Sequence, residues 1–225
     1  MDFSFLLNGR YIGLLLGGLL LTLLLALLAV VFGTMLGMVP AFCRLGKNKV
    51  LKFIATTYVE IIRGTPVLVQ VLIIYSLFRM PVTLLFGIDL SSFLPGMLAL
   101  LINSSAYVSE VIRAGVLSVD RGQTEAAQSI GMNKHQTMAK IILPQAVKNI
   151  LPALGNEFVT MIKETSIFMY LGIAELMYAA TIVRTSTYAV KESYIVAAIL
   201  YFCLTFPTAK LMGRLEKRLK RSDAH

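Results

Sequence analysis

Residues 11–43, YIGLLLGGLLLTLLLALLAVVFGTMLGMVPAFC, form a run of 33 positions without one charged side chain. Crossing the hydrocarbon core of a bilayer takes about 20 apolar residues in a helix, so this run can span with tilt or with an interfacial turn at 37–40. It is longer than the apolar segment of a secretory leader and is followed by no small-residue cleavage pattern, so it is expected to remain in the mature chain. The rest of the sequence repeats the arrangement. Apolar stretches at about 55–78, 90–115 and 193–211 are separated by short charged segments. A fourth, about 145–172, is interrupted by Asn156, Glu157, Lys163 and Glu164. With the first at about 12–42, the reading is an all-α membrane protein of five transmembrane helices, a single domain over 1–225. Of the 225 residues 57% are hydrophobic and 15% charged, with a mean hydropathy of +0.77, more apolar surface than one compact water-soluble core buries.

The net charge of +9 does not indicate nucleic acid, because the basic residues flank apolar runs, where membrane topology accounts for them. Fourteen Lys and Arg lie at 43–52, 118–148 and 210–221; four (Arg10, Arg79, Arg184, Lys191) lie on the opposite side. That asymmetry puts the amino terminus outside and the carboxyl terminus in the cytoplasm, which requires an odd number of crossings. Five satisfies it only if the polar-interrupted fourth segment crosses. The basic tail 210–221 is expected to rest near anionic headgroups. Cys43 and Cys203 sit in apolar surroundings with no disulfide or zinc pattern and are expected to be small core residues. The 11 methionines and the aromatics are expected to pack.

The longest cytoplasmic connection, about 118–143, carries helix-forming composition on both sides of Gly131, a residue that tolerates a left-handed cap. Pro144 is expected to end the second helix. Within it Glu125, Ala126 and Ala127, three residues, Gly131, nine residues, Ile141, one residue, then Leu143 and Pro144 match the E-A-A-x3-G-x9-I-x-L-P motif of the membrane subunits of ABC importers. The chain therefore resembles a binding-protein-dependent permease. The stretch Glu60, Arg63, Gly64, Thr65, Pro66 to Gln70, and Asn103 to Tyr107 followed by Glu110, look like segments of the polar amino acid branch. This resemblance covers roughly residues 10–215. It implies a type I importer permease of a bacterial plasma membrane. Its partners would be a second permease protomer, identical or paralogous, an extracytoplasmic substrate-binding protein, a polar amino acid and membrane lipid. It implies no cofactor on this chain, with ATP and Mg held by a separate ATP-binding cassette subunit. No G-x-x-x-x-G-K-[ST] sequence is present. The E-A-A region would dock on that cassette as a coupling helix, Glu125 pairing with a basic group and Ala126 and Ala127 allowing close packing.

A charge at the bilayer centre costs about 2.5–3.5 kcal/mol on insertion scales, so Glu157, Lys163 and Glu164 should face protein or water. Glu157, Thr160 and Glu164 share one helical face, with Asn156 on an adjacent stripe; Asn103, Ser104 and Tyr107 supply an opposing wall. A zwitterionic substrate needs both signs of partner and neutral donors, and Glu157 favours a cationic one. Lys163 is expected to pair with a carboxylate. Arg63 is expected to bridge Glu60 at a gate that includes Gly64, Thr65 and Pro66. Two other classes compete. A membrane enzyme using Glu157 and Glu164 lacks a Ser/His pair or metal cluster, since the histidines are only His135 and His225. An ion-coupled secondary transporter or channel subunit would call for an internal repeat, which is not evident.

Overall fold

The computed structural model describes residues 1, 3–78, 80–85 and 88–221, with side chains through Leu219; Arg79, His225 and the last two basic side chains of the tail lie outside the described residues. A short 3-10 turn (Ser4–Leu7) leads into α1 (Gly9–Leu45), which Asn8 caps by accepting from Arg10 N at 3.0 Å. There follow α2 (Lys49–Gly64), α3 (Val67–Leu77), two short antiparallel strands, β1 (Leu84–Leu85) and β2 (Ile88–Asp89), and α4 (Leu90–Leu117). The second half comprises α5 (Arg121–Ser129), α6 (Lys134–Thr137), α7 (Leu143–Glu164), α8 (Leu176–Thr187) and α9 (Val190–Arg221). Helices α1, α4 and α9 are each long and apolar enough to cross a membrane; with the pairs α2/α3, bent by 107°, and Lys134–Leu171 with α8, bent by 50°, each taken as one broken span, the number rises to five.

The structure differs from the sequence expectation in several places, the first three with a local backbone cause. Helix α1 runs straight through 37–40 without an interfacial turn, because an internal proline is tolerated where neighbouring helices re-satisfy the backbone. The second span is not one helix. Proline drives the preceding residue out of the helical region, and Thr65 is extended (φ −120, ψ 146), so α2 ends and α3 starts afresh from Pro66. Pro144 does not stop a helix: a π turn (Met138–Ile142) feeds directly into α7, where proline occupies the first turn and needs no amide donor. Finally, 176–187 is helical, and Cys203 is exposed rather than a core residue, while Cys43 is half-buried.

Helix α1 is the axis of the packing. Its small residues Gly18, Thr22, Ala26, Ala29, Gly33, Gly37 and Ala41 recur every three or four positions and are all buried. Gly33 is required by close approach, since a Cβ there would collide with the Ser104 side chain of α4. One core cluster joins Leu25 and Ala29 of α1 to Val71, Leu100, Met161 and Phe168. A second joins Leu15 to Leu176, Ala180 and Ala197. A third, at the other end, joins Ala41 to Ile112, Val116, Ile142, Ala146 and Ile150.

Candidate substrate cavity and coupling elbow

The break between α2 and α3 opens a wall that a continuous helix would close. Gln70 stabilises it: its Nε2 donates to Ile62 O (2.7 Å) and Thr65 Oγ1 (2.8 Å), while its Oε1 accepts from Asn103 Nδ2 at 3.1 Å. The carbonyl of α2 that the break exposes is thus satisfied, and the Asn103 amide is held in one orientation. Asn103 then lines a cavity of about 200 Å³ with Thr65, Pro66, Tyr107, Glu157, Thr160 and Glu164. A second cavity, about 450 Å³, shares Tyr107 and Glu157 with the first and continues past Arg63, Glu110 and Asn149. Glu157 is 7% exposed and, among the described residues, its Oε1 has no hydrogen-bond partner.

Glu110 is the hub of the second cavity. Its Oε2 accepts from Arg44 Nη1 at 2.6 Å, and its Oε1 accepts from Arg113 Nη2 at 2.5 Å. Arg63 reaches the same carboxylate only at 4.0 Å, with its guanidinium 5.2 Å from the Tyr107 ring centroid. Three guanidinium groups around one carboxylate leave positive charge in surplus, and Arg63 is the least engaged of the three.

Five of the seven residues expected to bind substrate therefore share one cavity: Asn103, Tyr107, Glu157, Thr160 and Glu164. Two do not. Ser104 is fully buried between Gly33 and the Glu157 side chain and lines neither cavity, and Asn156 is exposed on the outer face of α7. Lys163 is also exposed, and among the described residues no ion pair joins it to a carboxylate. Arg63 is directed to Glu110 rather than to Glu60, because Glu60 points outward. Thr65 and Pro66 line the smaller cavity; Gly64 is exposed and lines neither. Gln70 and Glu110 were not among the expected site residues. A lone glutamine four positions after a proline in an apolar run was the available signal for the first.

The connection between α4 and α7 is a compact elbow. Asp120 caps α5 by accepting from Gly122 N (2.7 Å). The helix then ends in a glycine cap: Met132 N donates to Ala127 O (3.1 Å) and Gly131 N to Gln128 O (3.0 Å), with Gly131 at φ +86. Asn133 and Gln136 form a reciprocal capping box for α6. Glu125, Ala126 and Ile130, the last 80% exposed, face outward. Ala127 is buried, so it packs the elbow internally rather than offering a contact surface. Ile141 packs on the third core cluster, while Leu143 and Pro144 remain exposed at the start of α7.

Residues 29–221 match the family described as "Binding-protein-dependent transport system inner membrane component". The "Putative glutamine transport system permease protein GlnP" of Rickettsia conorii is 44% identical over 202 residues, 90% of this chain and 91% of the relative. The "Arginine transport system permease protein ArtQ" of Bacillus subtilis is 36% identical over 223 residues, 99% of this chain and all of the relative. A solved structure described as an amino acid ABC transporter with histidines superposes with a TM-score of 0.88 at 45% identity, covering 97% of this chain and 100% of that one.

Proposed function

The chain belongs to the inner membrane components of binding-protein-dependent transport systems and is a permease subunit of an amino acid ABC importer; from that premise we propose that its paired cavities bind the amino acid itself. The observation that carries this is the meeting of opposite charges at one opening: Glu157, with an unpartnered carboxylate oxygen, and Arg63, loosely held, line the same cavity. An α-ammonium group suits the first and an α-carboxylate the second. The substrate side chain then enters the smaller cavity, where Asn103, Thr160 and Glu164 supply neutral and anionic partners. The second carboxylate there favours a cationic or amide-bearing side chain.

Arg63, Tyr107, Asn156 and Lys163 are all exposed on the single chain. Lipid is an unfavourable neighbour for such groups, which supports a second permease protomer enclosing the pathway. The elbow, with Glu125 and Ile130 outward, serves as the docking element for an ATP-binding cassette subunit that holds ATP and Mg and supplies the energy. An extracytoplasmic binding protein delivers substrate to the opposite face. The amino terminus lies on that outer face and the carboxyl terminus in the cytoplasm. In support, Asn8 and Tyr11 line one pocket with Thr187 and Ala189, so the sparsely basic segments around Arg10 and around Lys191 lie at one end.

The test is thermal-shift screening of the twenty amino acids on the permease purified with its cassette subunit, with Glu157→Gln and Arg63→Gln alongside. One or a few amino acids stabilise the wild type, and each variant loses most of that stabilisation. If no amino acid stabilises the wild type, the cavities bind no substrate and selectivity resides in the external receptor.

A further inference from the structure

Outside both cavities, α1, α2 and α4 enclose an apolar groove of about 600 Å³, walled by Val39 and Cys43, by Leu51 and Ile54, and by Leu98 and Ile102. The polar groups at its floor are already satisfied. The Tyr58 hydroxyl donates to Ile102 O at 3.0 Å and lies 2.5 Å from Ser105 Oγ, so a polar solute finds no open partner there. At its α1–α2 end, where Cys43 and Leu51 flank the turn, stand Lys47, Lys49 and Lys52, all exposed. Arg44 is engaged by Glu110 and adds nothing to this rim. No acidic residue occurs between positions 11 and 59. The elbow brings Lys134 against Lys47, and that contact, with the like-charge repulsion it carries, holds the Lys134 ammonium below the usual lysine range.

We propose that this groove binds one anionic phospholipid, an acyl chain lying between α1 and α2 and the headgroup phosphate held by Lys47, Lys49, Lys52 and Lys134. The rim carries charge of a single sign, which suits phosphate better than a protein surface of mixed charges. A phosphate at that position neutralises the Lys47–Lys134 contact and joins the α1–α2 turn to the elbow. The charge of the membrane is thereby read at the element that moves during transport.

The full chain, reconstituted in nanodiscs of equimolar phosphatidylglycerol and phosphatidylcholine and released for native mass spectrometry, retains phosphatidylglycerol preferentially. Each lysine near a headgroup contributes about fivefold, so Lys47→Gln lowers the preference about fivefold and joint reversal of Lys47, Lys49 and Lys52 to Glu abolishes it. Val39→Trp, at a position 65% exposed and therefore safe for folding, fills the groove and reduces retention of both lipids. In a Cys203→Ser background, a photoactivatable label on Cys43 crosslinks to lipid. The proposal is overturned if the two lipids are retained in the ratio supplied, if charge reversal leaves the preference intact, if Val39→Trp retains as much lipid as the wild type, or if Cys43 crosslinks to a polypeptide.

Discussion

Replacing Gln70 with leucine keeps the volume of the side chain and removes every polar contact it makes. Three donated contacts, to Ile62 O, Thr65 Oγ1 and Thr65 O, and one bond accepted from Asn103 disappear together. Thr65 Oγ1 retains its own bond to Ile61 O at 2.9 Å, so its loss is partial. The Ile62 carbonyl and the Asn103 amide are stranded, and Asn103 is 4% exposed, so water replaces neither bond cheaply. At about 1 kcal/mol net per bond, with an added penalty for a buried group left unpaired, the substitution costs about 2–4 kcal/mol. The cost is measurable as a shift in the SDS fraction needed to unfold the protein reversibly in mixed micelles. A double-mutant cycle of Gln70→Leu with Asn103→Leu isolates the shared bond, with a coupling of about 1 kcal/mol. In proteoliposomes the same variant raises the KM for uptake, because Asn103 loses its fixed orientation in the cavity wall. Unfolding at the wild-type SDS fraction, or a cycle additive within about 0.3 kcal/mol, refutes the idea that Gln70 holds the α2–α3 break open.

Glu125→Arg, on the exposed face of α5, abolishes uptake and the stimulation of ATP hydrolysis by loaded binding protein while membrane insertion is unchanged; normal uptake by this variant removes the docking role. Gly131→Ala costs about 1–2 kcal/mol from backbone strain alone, since φ is +86 and no neighbouring atom lies within 4 Å of the added Cβ. It is read as lost hydrogen-exchange protection at the amides of Gly131 and Met132, with Gly131→Asn the milder change, and equal protection in all three proteins counts against the glycine cap. Asp89 caps α4 outside the apolar spans, and its bonds from Ser91 Oγ (2.8 Å) and Ser91 N (2.9 Å) hold its carboxyl below the usual 3.8. Because the folded value is the lower one, the cap stabilises above the unfolded value and is lost as pH falls through the folded value. The stability difference between wild type and Asp89→Asn therefore narrows below about pH 4, and a difference independent of pH there would exclude the ionised cap.

The face carrying Glu157, Thr160 and Glu164 could be read from helical spacing because three and seven residues return a side chain to nearly the same angle. Spacing fixes relative angle and not which direction faces inward. Asn156 is one position from Glu157 and points outward, and Ser104, one position from Asn103, packs on α1 instead of lining the cavity. Gln70 and Glu110 escaped for a different reason. Gln70 meets Asn103 and Glu110 meets Arg44 across 33 and 66 residues, and only the folded helices bring these pairs together; the local Arg113 partner of Glu110 marks by itself no more than an i,i+3 pair on one helix. The elbow was legible because its glycine cap and capping box are local, whereas the burial of Ala127 depends on how α5 settles on the rest of the molecule.

The way the elbow is anchored bears on how motion reaches the cavities. Helix α7 leaves the elbow through the π turn Met138–Ile142 without a break, so α6, the π turn and α7 form one continuous helical unit. Ile142, Ala146 and Ile150, on that unit, pack against Ile112 and Val116 of α4, and Asn149 Nδ2 donates to Ser118 Oγ at 2.9 Å. Farther along, the same two helices carry Glu157, Thr160 and Glu164 on one side and Asn103, Tyr107 and Glu110 on the other. Close-packed interfaces shift between discrete arrangements rather than deforming smoothly. On the proposed docking role, a push on the elbow is taken up by sliding of α7 on α4, and that slide changes the separation of Glu157 from Asn103 and Arg63. Because Arg63 is held to Glu110 only at 4.0 Å while Arg44 and Arg113 are held tightly, it is the guanidinium of the three freest to meet the carboxylate of the proposed substrate.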